Sequence, residues 1–141
     1  MENIFYGGKP VLITVVGGVT GDTVYVNGKK AEASSHLGLT QQDLSGRLIL
    51  GTSPVVDEPW PGEVMGIAIY ASELSLSQVM AHCRSWMQSR QIELAHEQNT
   101  VAVYDFHEGS GQIIHNLANG AANLTIPSQY SVPYKIFLER P

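Results

Sequence analysis

Thr23-Val24-Tyr25-Val26-Asn27-Gly28-Lys29-Lys30-Ala31 is the stretch on which the fold turns. Four residues that favour extended backbone run directly into Asn-Gly. A type I′ turn needs positive φ at both of its central positions, and Asn and Gly take that conformation at least cost. A tight hairpin is therefore predicted, with the two lysines opening the returning strand. Just upstream, Val11-Leu12-Ile13-Thr14-Val15-Val16 is short and rich in β-branched residues, and reads as a buried strand. Gly17-Gly18 and Gly21-Asp22 break the chain after it.

The same grammar continues towards the C-terminus. Gly46-Arg47-Leu48-Ile49-Leu50-Gly51 reads as a strand, after a polar stretch over residues 34–45. A long strand is predicted over residues 62–70, ending Ile67-Ala68-Ile69-Tyr70, apolar on both faces and hence central in its sheet. Val101-Ala102-Val103-Tyr104 is a further strand, followed by the Gly109-Ser110-Gly111 turn. Short strands follow over residues 112–115, 123–126 and 135–138, for about nine strands altogether.

One helix interrupts the pattern, over residues 75–90. Ser75 and Gln78 stand three apart, the spacing of a capping box in which each side chain satisfies a backbone N–H of the other residue. Leu76, Val79, Met80, Cys83 and either Trp86 or Met87 fall along one stripe, with His82, Arg84 and Gln88 off it. A single helix among many strands excludes a fold in which helix and strand alternate. The expected class is all-β, an antiparallel β-sandwich carrying one short α-helix.

Composition sets the outer limits. The chain has 141 residues, 43% hydrophobic and 15% charged, which suits one folded domain over residues 1–141. Residues 91–100 read as a connector, and residues 101–141 as strands that complete the sandwich. The formal net charge is −5 and the eight Lys and Arg are scattered. A nucleic-acid partner is excluded on that ground, because neutralising phosphates takes a basic stripe. No stretch approaches the roughly 20 apolar residues that span a bilayer, so any membrane attachment is expected through segments outside this chain. The lone Cys83 allows neither an internal disulfide nor a cysteine-based zinc site, and reads as a small buried hydrophobe.

Two stretches carry a family resemblance. TVYVNGKKAE (23–32), LSGRLILGTSP (44–54) and WPGEVMGIAIYASELSLSQVMAHCRSW (60–86) together resemble the second half of a laminin-G-like, concanavalin A-like lectin/glucanase domain. In that family a strand ending in Tyr-Val-Asn-Gly leads through a glycine-flanked strand to a closing strand and a short helix. VAVYDFHEGSGQIIHNLANGAANLTIP (101–127) is similar to the segment that normally opens such a domain. The order is reversed here, the opening-type segment coming after the closing helix. This order, ending in IPSQYSVPYKIFLERP (126–141), is similar to the laminin-G-like region preceding the membrane part of bacterial VanZ-like proteins. The resemblance implies a jelly-roll sandwich, a carbohydrate-binding or cell-envelope role and an extracytoplasmic location. The usual first half is missing, which leaves a fragment or a reduced, incomplete sandwich open.

The resemblance also implies a pairing. Opening and closing strands lie side by side in the family, so residues 101–105 should pair antiparallel with residues 63–70. A closing strand apolar on both faces also needs a backbone partner, because an unpaired edge of that kind invites aggregation. Tyr104 and Phe106 should then face one side of the sheet, and Val103 and Asp105 the other.

Candidate sites follow from chemistry. Glycosidases on this fold carry carboxylates at alternate positions of one strand, flanking the scissile bond. No predicted strand has such a pair, so no catalytic residue and no enzymatic activity is expected; a remnant glycoside hydrolase is the least favoured reading. The candidate ligand site is Asp57, Glu58 and Trp60, in a proline-bounded loop over residues 52–61. An aromatic face stacks on a sugar ring while carboxylates accept its hydroxyls; the plainer alternative is a tryptophan that covers the end of the core. The candidate metal ligands are Asp105 and Glu108, with His107 between them, hard oxygen donors that suit calcium. Some relatives bind calcium, but their acidic pair in the closing strand is replaced by Met65 and Gly66, and their opening aspartate by Asn116. The favoured reading is that Asp105 and Glu108 satisfy turn backbone donors, with no cofactor. Asn123-Leu124-Thr125 matches a glycosylation sequon, which carries little weight in a bacterial-type chain. Two functions remain: a non-catalytic module that recognises a glycan or cell-envelope component, or a structural and interaction ectodomain without a small ligand.

Overall fold

The computed structural model describes residues 8–18, 21–31, 62–90, 99–119 and 122–126. Within them lie seven strands and one helix: β1 (Ile13–Gly18), β2 (Gly21–Val26), β3 (Lys29–Lys30), β4 (Ile67–Tyr70), α1 (Leu76–Ser89), β5 (Thr100–Tyr104), β6 (Ile113–Ile114) and β7 (Leu124–Thr125). All strand pairings are antiparallel, in one three-stranded and two two-stranded sheets. The described residues thus form mostly strands in small antiparallel sheets, with one helix. The strands expected at residues 46–51 and 135–138 lie outside the described residues. The chain divides into two compact units, Met1–Gly62 with Ser72–Glu93, and Glu63–Ala71 with Leu94–Pro141.

In the first unit the strand order is β1-β2-β3. Asn27 (φ 50°) and Gly28 (φ 75°) both adopt the left-handed conformation, as the type I′ turn between β2 and β3 demands. Asn27 does more than turn the chain. Its N–H donates to the Leu12 carbonyl at 2.8 Å, and its Oδ1 accepts the Leu12 N–H at 2.9 Å, holding the approach to β1 against the turn. Residues facing each other across β1 and β2 share a face: Ile13 with Val26 and Val15 with Val24 on one side, Thr14 with Tyr25 and Val16 with Thr23 on the other. Only the second face is buried in β1, at Val16. Ile13 and Val15 are 43% and 47% exposed, so β1 is half-buried and not the fully buried strand its composition suggests.

The helix begins where the capping box places it. The Ser75 N–H donates to Gln78 Oε1 at 2.8 Å, and the Gln78 N–H reaches Ser75 Oγ at 3.4 Å. It ends at Arg90, left-handed at φ 57°, whose N–H donates to the Trp86 carbonyl at 2.8 Å. The Arg90 guanidinium lies over the Trp86 ring, 4.9 Å from its centroid. Val79, Cys83 and Trp86 form the buried face, while Leu76, Met80 and Met87 are exposed. The inward face is therefore rotated from the centre of the predicted stripe. The hairpin turn sits against this face: a Cβ at Gly28 would come within 3.2 Å of Cys83 Cβ. Among the described residues, no helix is long and apolar enough to cross a membrane.

In the second unit β4 and β5 pair antiparallel, with Ile67 opposite Tyr104, Ala68 opposite Val103 and Ile69 opposite Ala102. The expected pairing of these two segments is observed. A register irregularity between Ile69 and Tyr70 brings Thr100 opposite Tyr70, and Val101 is left exposed. β6 and β7 form a second short pair, Ile113 opposite Thr125 and Ile114 opposite Leu124. Ala102, Tyr104 and Ile114 make the core of this unit, with Ile67, Ile69, Phe106, Leu124 and Ile126 packed on it. Tyr104 and Phe106 share this cluster, as expected. Val103, on the opposite face, is fully buried.

Candidate functional site

Two of the carboxylates that the structure positions, Asp105 and Glu108, lie in the loop that leaves β5. Tyr104 anchors its start: the ring is buried, and its Oη donates to the Ala122 carbonyl at 2.7 Å. Phe106 then takes a left-handed backbone conformation, φ 52°, unusual for a residue with a bulky side chain. The Phe106 ring packs on the core, while the next side chain, His107, is exposed. Gly109 (φ 68°) and Gly111 (φ 91°) complete the bend before β6.

Asp105 and Glu108 each serve a different part of this loop. Asp105 Oδ1 accepts the His107 N–H at 3.3 Å, an Asx-type turn, and its Oδ2 lies 3.3 Å from His107 Nδ1. Glu108 Oε1 accepts the His115 N–H at 2.7 Å and lies 3.5 Å from His115 Nδ1. The first carboxylate holds the loop's entry; the second ties its middle to the residue after β6. Each imidazole can form an ion pair with its carboxylate when protonated, but both are exposed, so such pairs contribute little. Glu108 Oε2 is buried without a hydrogen-bond partner. Among the described residues, no three His, Cys, Asp or Glu side chains come together as a metal-binding group.

Asn116 is the residue whose role the sequence did not reveal. Its Oδ1 accepts the Val103 N–H at 2.8 Å and the Ala118 N–H at 3.0 Å. The Leu117 N–H donates to the Val103 carbonyl at 2.8 Å. Val103 thus has both backbone groups engaged on the edge of β5 away from β4, where a side-chain amide and one peptide N–H act as a short substitute strand. Asn123 Oδ1 in turn accepts the Asn116 N–H at 2.9 Å. The asparagine of the sequon is therefore part of this network. Asn116 Nδ2 is buried without a partner. A carboxylate at position 116 could accept the same two N–H groups.

The candidate ligand residues Asp57, Glu58 and Trp60 lie outside the described residues, as do His36 and His96. His82 is half-buried on α1. Asp22, in β2, is the one carboxylate within the described strands, and it is buried. No family model, curated protein or solved structure matches this chain.

Proposed function

We propose that the chain is a non-catalytic β-sandwich module that recognises a carbohydrate or another cell-envelope ligand. The observation that carries this reading is the antiparallel pairing of β4 with β5. It joins the segment that resembles the closing strand of a laminin-G-like domain to the segment that resembles its opening strand. The finer fold is read as a single concanavalin A-like jelly roll. The functional step is by analogy, since a fold of this kind hosts many activities. Ligand contact is assigned to Asp57, Glu58 and Trp60, and no cofactor is needed for it. The chain is placed outside the cytoplasm, next to a membrane reached through other segments, as in VanZ-like proteins.

Two of the described carboxylates fit a non-catalytic reading. Hydrolysis of a glycosidic bond uses two carboxyl groups flanking one bond, about 5–9 Å apart. Asp105 and Glu108 instead accept backbone N–H groups of their own loop. The same observation favours a second reading, a structural or interaction ectodomain without a small ligand, because these side chains build the loop from within.

A glycan array probed with the purified chain separates the two readings. Binding that is lost in Trp60→Ala, with unfolding unchanged, supports the ligand site. Binding that survives the substitution removes Trp60 from it, and an array without binders favours the ectodomain. Polysaccharide turnover by the chain would overturn both.

A further inference from the structure

We draw no further inference here: the strongest candidate, the carboxylate and histidine cluster of the loop after β5, where Glu108 Oε2 and Asn116 Nδ2 are buried without partners, carries nothing because Glu108 keeps 16% of its side chain exposed, both carboxylates already hold backbone N–H groups of the loop, and no independent feature of the structure points to a ligand there.

Discussion

The β2–β3 hairpin closes over two residues, Asn27 and Gly28, whereas β4 meets β5 only after residues 71–99 have passed between them. Both pairings are antiparallel, but they rest on different physics. In the hairpin, turn chemistry sets the register before any burial is gained, and the neighbouring β1 leaves Ile13 and Val15 exposed. In the distant pair no local signal sets the register. Ordering the intervening chain is costly, and the offset comes from burial: Val103 is fully buried and Tyr104 is 4% exposed. A strong local signal therefore marks where the chain turns, and says little about where the apolar surface is buried.

The contrast can be broken at several points. The largest effect is expected from deleting residues 100–141, which removes β5, β6 and β7 and leaves β4 without its strand partner. An insoluble remainder is expected, measured as the soluble fraction after expression. A soluble 1–99 chain that unfolds cooperatively would mean the long-range pair is dispensable to the rest.

Tyr104→Ala comes next. It empties a buried ring site and removes the bond to the Ala122 carbonyl, and should destabilise the protein by about 3–5 kcal/mol in urea unfolding. Tyr104→Phe keeps the ring and should cost about 1 kcal/mol. Equal costs would assign the stabilisation to the hydroxyl and not to the buried ring.

Gly28→Ala tests the local side. Leaving the left-handed conformation to a residue with a Cβ costs roughly 1–2 kcal/mol, and the added Cβ would press on Cys83. A cost above that of Tyr104→Ala would reverse the ranking of the two regions.

The smallest effect is expected from Val15→Thr, on the exposed face of β1, within about 0.5 kcal/mol. The adjacent Val16→Thr places a hydroxyl in a buried site and should cost about 1–3 kcal/mol. Matching costs at the two positions would mean that both faces of β1 are buried in solution.

Legibility followed the range of the forces involved. The type I′ turn, the Ser75–Gln78 capping box and the bend at Gly109 to Gly111 could all be read because each is complete within a few residues. The helix was legible as a helix, but its inward face was not. Leu76, Met80 and Met87 share the stripe with Cys83, and whether such a residue is buried depends on what packs against it. In the candidate site, the turn roles of Asp105 and Glu108 were legible from their place just ahead of the turn over Gly109 to Gly111. Asn116 was not, because the Val103 edge it completes lies thirteen residues away and appears only once β5 has formed.

The sequence by itself determined the local conformations, a strand-rich chain, one capped helix and a hairpin with its register, together with a net charge of −5. Those properties arise from torsional preference, hydrogen bonds between near neighbours and net charge, none of which requires a fold. The tertiary structure alone decided which apolar residues are buried and which polar atoms complete a distant edge. It put Val16 inside and Val15 outside, Trp86 inside and Met87 outside, and it gave the Asn116 amide two backbone donors. Burial and edge pairing are relations between segments far apart in sequence, so they acquire values only when the chain has brought those segments together.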